Sequence, residues 1–322
     1  MRKILVLVAV LLLGSGIRPA AADPSFSVEE GKLDAALSCT PFTHPNHEPV
    51  LLVHGTFTSG HEQYRWNYEL LLADNGFDYC TVTYPDRGLG DQQVSGEYVA
   101  HAIIEMSARA SGGRVDVVGH SQGAVVPRWA VKWWPSARAA VDDMVLIAGP
   151  SHGTAYADRA DQSPFSMPEA FWQFDPGSQF LAALNAGDET PGTISYTSLY
   201  SETDELVQPA SPVPTAGLDW GQEDANTMNL SMQSVCPGRI VDHLTIGTTD
   251  RAAQTLVLDA LTNGGPADPV RAGLGSLCAL PDQYADQRQP GEFADQFADS
   301  FGNGFPNFHN TNREPPLAPY AQ

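Results

Sequence analysis

Basic residues are scarce: Lys and Arg number 17 against 38 Asp and Glu, a formal net charge of −21 over 322 residues. A surface of one sign argues against nucleic acid as a partner and against electrostatic docking on anionic membranes. Solubility in an extracellular or salty medium accounts for it as well as any function does. Beyond the first 22 residues there is no apolar run of the ~18 residues that a membrane span needs. No internal repeat and no Ser/Gly-rich linker divides the remainder, so residues 23–322 are read as one large domain. Cysteine is sparse too, with four in the chain.

At the N-terminus Arg2 and Lys3 precede an unbroken apolar run from Ile4 to Leu13, and Ala20-Ala21-Ala22 supplies the small residues that precede a cleaved bond. Residues 1–22 are therefore expected to be a secretory signal peptide cut after Ala22, which places the protein outside the cell. Cleavage removes Arg2, Lys3 and Arg18 and takes the formal charge to −24. An even number of cysteines in an exported chain favours disulfides over metal or redox chemistry. Three pairings are possible; Cys39 with Cys80 and Cys236 with Cys278 is the simplest. Each such bridge closes a loop worth roughly 4 kcal/mol in chain entropy.

The most informative feature is Gly119-His120-Ser121-Gln122-Gly123, entered by the apolar run Val115-Asp116-Val117-Val118. This is the strand-to-helix turn that presents a serine nucleophile in α/β-hydrolases. A serine hydroxyl is a poor nucleophile at neutral pH, so it needs a base within reach and backbone N–H groups to meet an oxyanion. The glycines flanking Ser121 allow the tight turn, and a helix over 122–134 points its positive dipole end at the serine. Pro127 is tolerable near that helix's first turn, where few N–H groups are bonded.

Around this motif the apolar runs predict strands at Pro49 to Val53, Tyr79 to Tyr84, Met144 to Ala148, Ile194 to Tyr200 and a short one at Arg239 to Val241. Helices are expected at Tyr64 to Leu72, at Gly96 to Ala110 and from near Asp250. This alternation predicts an α/β fold with a mostly parallel central sheet and helices on both faces, active residues lying at the carboxyl ends of the strands. His54-Gly55-Thr56 then occupies the usual place of an oxyanion loop. Chain order in such folds is nucleophile, acid, histidine. Of the histidines after Ser121, His152 follows the wrong strand and His309 lies in a Gly/Asn/Pro-rich tail, leaving His243. The acid falls in the loop Ser201 to Glu205, where Asp204 is preferred and its glutamate neighbours stay open. Asp242 is set aside because adjacent residues seldom aim at one another.

Several islands occur together in one order: Leu33 to Thr40, Pro49 to Thr56, Glu97-Tyr98-Val99, Ser121-Gln122-Gly123, Asn185-Ala186-Gly187, Thr197 to Ser201, Asp204 to Pro209, Val235-Cys236 and Val241-Asp242-His243. Through them the chain resembles the lipase B family of the yeast Candida antarctica and its bacterial relatives over almost the whole mature length. The resemblance implies the α/β-hydrolase fold and a triad of Ser121, Asp204 and His243. It also implies oxyanion donors in the backbone N–H groups of Thr56 and Gln122, with the Thr56 hydroxyl as a third, and the local disulfide pairing. His120 and Leu206 are expected at the substrate pocket; no metal and no cofactor is expected. The expected partner is an acyl ester or lipid, met in solution or at a lipid–water interface.

Departures from the family pattern locate what does not carry over. His120 stands where the yeast enzyme has a tryptophan flooring its alcohol pocket, and Pro150-Ser151-His152 replaces a segment containing an aspartate. Arg313 replaces a cysteine, which removes a third disulfide. Residues 282–322 diverge most: Phe293, Phe297, Phe301, Phe305 and Phe308 recur at helical spacing, fitting either core packing or an acyl-binding edge. Tyr156 to Trp172 has the composition of a short lid or of an ordinary surface helix. His44 and His47 lack further ligands and read as surface groups, and Asn229-Leu230-Ser231 is a glycosylation sequon. Three functions share this reading: a secreted lipase or carboxylesterase, a polyester or cutin-like polymer hydrolase with the same triad, and an inactive hydrolase-fold binding protein.

Overall fold

The structure, a computed structural model, describes residues 22–158, 166–281, 288–307 and 310–322. The expected signal peptide lies outside them except for Ala22.

Among the described residues there are nine strands: β1 (Leu37–Cys39), β2 (Val50–Val53), β3 (Tyr79–Val82), β4 (Val115–His120), β5 (Val141–Ile147), β6 (Met167–Pro168), β7 (Ser195–Tyr200), β8 (Thr227–Ser231) and β9 (Asn310–Thr311). Seven form the main sheet in the order β1-β3-β2-β4-β5-β7-β8, and β6 pairs separately with β9. All neighbours in the main sheet are parallel except β1, which runs antiparallel to β3. The period-2 rule sorts its side chains into two cores. Leu51 and Val53 of β2 join Val99, Ile103 and Trp129 on one face, while Val50 and Leu52 join Leu71, Leu72, Leu256 and Val257 on the other. Both faces of the sheet are therefore covered by helices. Cys39 stands opposite Cys80 across the β1–β3 pair and is bonded to it; Cys236 is bonded to Cys278.

Element boundaries differ from expectation where side chains compete for backbone groups. The helix read over Tyr64 to Leu72 is two, Gly60–Tyr64 and Tyr68–Asp74, because the Asn67 side chain accepts from the Tyr68 N–H and starts the chain afresh. The helix expected from Gly96 begins at Gln92, where Asp91 caps it by accepting from the Gln93 N–H. The segment after Ser121 opens as a 3₁₀ turn, Ser121–Ala124, and becomes α-helical at Val126–Trp133, with Pro127 in the first turn where its missing N–H costs nothing.

The strand expected at Arg239 to Val241 does not form. Thr203 Oγ1 accepts from the Val241 N–H, and the Ser201 and Thr203 hydroxyls donate to the Val241 carbonyl. With both of its backbone groups taken by side chains, Val241 has nothing to offer a sheet. The outer strand is instead β8, whose Thr-Met-Asn-Leu-Ser sequence lacks an apolar run because it is an edge strand. Within β8 the Asn229 amide is bonded to both backbone groups of Leu218 and to Glu223, so the sequon asparagine is committed to the fold.

At the amino end of β4 and β5, away from Ser121, Asp116 and Asp143 are buried side by side, with Asp142 beside them. Asp116 Oδ1 accepts from the Asp143 N–H, while Asp116 Oδ2 is buried without a hydrogen-bond partner among the described residues. Burial pushes the Asp143 carboxyl up to about 7, the Asp142 and Glu48 charges adding to it, and burial plus Asp143 raises Asp116 as well. A raised acid binds its proton more tightly folded than unfolded, so its contribution is fully present below about pH 4 and is lost as pH rises to about 7. Asp143→Asn is therefore expected to be more stable than the parent at pH 8, by on the order of 2–4 kcal/mol, and equal to it near pH 4. Melting temperatures of both proteins from pH 4 to 8 check this; parallel curves would refute it.

Candidate active site

Thr56, Ser121 and Asp204 stand just past the carboxyl ends of strands, and His243 lies on a helix further along the chain. Thr56 follows β2, Ser121 follows β4, Asp204 follows β7 and His243 opens a short helix, His243–Ile246, beyond β8. Ser121 has φ +57°, a left-handed backbone that an L-residue adopts only when its surroundings impose it. That conformation aims the side chain out of the sheet. His243 Nε2 lies 2.9 Å from Ser121 Oγ, and His243 Nδ1 lies 2.8 Å from Asp204 Oδ2. The three side chains thus form one hydrogen-bonded line, with His243 and Asp204 both buried.

The acid loop divides its carboxylates among three tasks. Asp204 Oδ1 accepts from the Leu206 and Val207 N–H groups, leaving Oδ2 for the imidazole. Burial alone would raise the Asp204 carboxyl, but the His243 hydrogen bond and charge and these two N–H groups hold it below the usual carboxylate range. Glu202 accepts from the Ser231 hydroxyl, and Glu205 accepts from the His243 backbone N–H. Asp242 accepts from the Thr245 N–H and caps the histidine's helix. His152 is bonded to Glu189 instead, 3.0 Å away, while His309 lies outside the described residues.

Thr56 Oγ1 donates to Gln122 Oε1 at 3.3 Å, and Gln122 Nε2 donates to the Gly88 carbonyl at 2.8 Å. The Gln122 side chain therefore clamps the Thr56 loop to the segment after β3. Gly55 is held likewise, its N–H donating to Gln63 Oε1 at 2.8 Å. His120 is buried, with Nδ1 accepting from Gln63 Nε2 at 3.0 Å and Nε2 donating to the His243 carbonyl at 2.8 Å. Burial, reinforced by the neighbouring His243, lowers its pKa to about 3, so the ring is neutral. Nothing in the sequence singled out Gln63; its part depends on a fold that brings residue 63 beside residue 120.

Ser121 and His243 open into a cavity of about 320 Å³, bordered by Thr56, His120 and Leu206 and walled by Phe57, Phe171, Phe174, Val207, Leu244, Phe293 and Phe297. Phe293 and Phe297 come from the helix Arg288–Asn307, in the divergent region. Phe293 packs on Trp66, and Phe297 meets Phe57 edge-on with ring centres 5.4 Å apart. These two rings are both packed and pocket-facing; the side chains of Phe301 and Phe305, and all of Phe308, lie outside what the structure describes. Residues 159–165 of the lid-like segment lie outside them too. Its described end is tied to the tail, by the β6–β9 pair and by Trp172 Nε1 donating to the Thr311 carbonyl. No third disulfide holds that tail; Glu314 accepts from the Gln179 and Phe180 N–H groups, and Tyr320 packs against Trp129, Trp133 and Trp134.

His44 Nδ1 is 2.7 Å from Asp78 and the His47 ring stacks on Phe77, so the two histidines face different partners. No described helix is long and apolar enough to cross a membrane.

Residues 47–253 match the family model described as Lipase (class 2), which covers well over half of the chain. The chain belongs to the class 2 lipase family. It is 35% identical to lipase B of Pseudozyma antarctica over 231 residues, 70% of this chain and 65% of that protein. The match thus spans a little under two thirds of the relative's length. Over 115 residues, 34% of this chain and 37% of the relative, it is 30% identical to a triacylglycerol lipase of Pseudomonas fragi. In three dimensions it resembles the crystal structure of Aspergillus fumigatus lipase B with a TM-score of 0.83 at 29% identity, covering 96% of this chain and 76% of that one. The sheet and its covering helices are those of an α/β-hydrolase.

Proposed function

We propose that this class 2 lipase family member is a secreted serine ester hydrolase that cleaves acyl esters of the triacylglycerol type through an acyl-enzyme on Ser121. The hydrogen-bonded line from Asp204 through His243 to Ser121, at the foot of an apolar cavity, carries the reading. His243 Nε2 takes the Ser121 proton as Oγ attacks the ester carbonyl, and Asp204 holds the proton on Nδ1 and stabilises the imidazolium. The depressed Asp204 carboxyl keeps its charge wherever the histidine is a base. The backbone N–H groups of Thr56 and Gln122 meet the oxyanion, and the Thr56 hydroxyl joins them by turning its single proton from Gln122 Oε1 to the oxyanion. His243 then protonates the departing alcohol, and water, activated by the same imidazole, releases the acid from Ser121. No metal and no cofactor enters these steps. Two disulfides suit an oxidising compartment and support export behind the leader.

Initial rates on p-nitrophenyl esters of rising chain length, a triolein emulsion and a polyester film test the reading. Turnover of the soluble esters and of triolein is expected. Film hydrolysis outpacing triolein would reassign the natural substrate to a polymer, and silence on every ester would leave only a binding role. Thr56→Val keeps the backbone N–H and removes the hydroxyl, so kcat is expected to fall about 100-fold with KM little changed. Steady-state kinetics on p-nitrophenyl butyrate measure both; an unchanged kcat would remove the hydroxyl from the oxyanion site.

A further inference from the structure

The line of three side chains described above is not the only connected path into the site. A second runs from the Gly55 N–H to Gln63 Oε1 (2.8 Å), from Gln63 Nε2 to His120 Nδ1 (3.0 Å), and from His120 Nε2 to the His243 carbonyl (2.8 Å). All three bonds are buried, so none competes with water. The geometry points to Gln63 and His120 as positioning residues that tie the backbone of the general base to the oxyanion loop. This rests on the assignment of His243 and Thr56 in the proposed function.

Every proton on the path has one possible direction. A backbone N–H can only donate, so the Gln63 amide must turn its oxygen to Gly55 and its NH₂ to His120. That NH₂ can also only donate, so His120 Nδ1 carries no proton and Nε2 does. The Nε2–H then has one acceptor, the carbonyl of His243. Burial holds the His120 ring neutral, which keeps this tautomer in place and sets no second cation beside the imidazolium that forms on His243.

The general base needs such a brace because its helix, His243–Ile246, has only four residues. Glu205 holds the His243 N–H and His120 holds its C=O, so both backbone groups are fixed by side chains from the ends of different strands. The seat of the His120 ring is reserved as well. A Cβ on Gly247 would lie 2.2 Å from His120 Cδ2, so only glycine there lets the ring lie against the histidine's helix.

The test uses the mature chain with Gln63→Met, His120→Phe and His120→Gln, the last retaining an NH₂ near the position of Nε2. Gln63→Met and His120→Phe are expected to lower kcat on p-nitrophenyl butyrate about 10- to 100-fold, the cost of a slightly misplaced base, with KM within about threefold. His120→Gln is expected to recover most of that loss. A folded His120→Phe protein with kcat within twofold of the parent would overturn the proposal, as would a His120→Gln protein no better than the phenylalanine variant. Should the variants fail to fold, long-range ¹H–¹⁵N correlation spectra of the parent imidazoles decide instead. The proposal requires His120 to remain a neutral Nε2–H tautomer from pH 5 to 9, and a titrating ring or an Nδ1–H tautomer refutes it. That spectrum does not depend on turnover, so a parent inactive on esters would count against the proposed function and not against the hydrogen-bond path.

Discussion

Ser121→Ala is expected to fold as the parent does and to lose about 10⁶-fold in kcat on p-nitrophenyl butyrate. In the proposed mechanism the loss is that large because nucleophile and base act as a unit, and His243 without Ser121 Oγ has only water to activate. The hydroxyl is bonded to His243 at 2.9 Å and the serine sits at φ +57°, a strain that alanine shares. Removing it therefore takes little from the fold, and the melting temperature should stay within a few degrees of the parent's. Activity within 100-fold of the parent, in a preparation with the parent's circular dichroism, would show that another group forms the acyl-enzyme.

Gly123→Ala is expected to cost the fold more than 4 kcal/mol, enough to prevent recovery of soluble protein. A Cβ at this position would stand 2.0 Å from the Val53 carbonyl oxygen and 2.6 Å from that of His54. These are backbone atoms, and β2 cannot withdraw because Val53 is paired with Gly119 of β4 and buried in the core. The turn after Ser121 thus packs directly on the strand that leads to the Thr56 loop, which brings the two halves of the expected oxyanion site together. Gly275→Ala is the control: nothing lies within 4 Å of its added Cβ, so it should change stability by less than about 1 kcal/mol. Soluble yields of the three proteins, with urea unfolding midpoints for whatever is recovered, measure the contrast; equal yields and equal midpoints would refute the packing argument.

The central strands could be read from composition because a strand buried on both faces is apolar over most of its length, the exceptions here being Asp116 and His120 in β4 and Asp142 and Asp143 in β5. Val50 to Val53, Val115 to His120 and Val141 to Ile147 are such strands, and their positions differ from expectation by only a few residues. The edge strand β8 obeys no such requirement, so its polar sequence carries no strand signal, whereas the apolar Ile240-Val241 suggests a strand that does not form. Arg239 to Val241 stays irregular because hydroxyls 38 to 40 positions earlier satisfy Val241's backbone, a match between distant residues that no local pattern records. The same distance hid the choice among the carboxylates of the acid loop. Asp204, Glu202 and Glu205 have similar chemistry, and only the positions of Ser231 and His243 decide which carboxylate meets which donor.

The sequence by itself determined the alternating α/β architecture, the Gly-His-Ser-Gln-Gly turn and the order in which an acid and a histidine must follow it. These depend on local apolar periodicity and on chain order, both of which are written in one dimension. Only the tertiary structure decided that Phe293 and Phe297 of the divergent region wall the cavity, that Asp204 faces the imidazole, and that His120 binds the backbone of His243 through a tautomer set by Gln63 and Gly55. The physical reason is common to all three. Each depends on a pairing of donors and acceptors, or of apolar surfaces, across tens to hundreds of residues, and such pairings acquire meaning only after the sheet has brought the strand ends together.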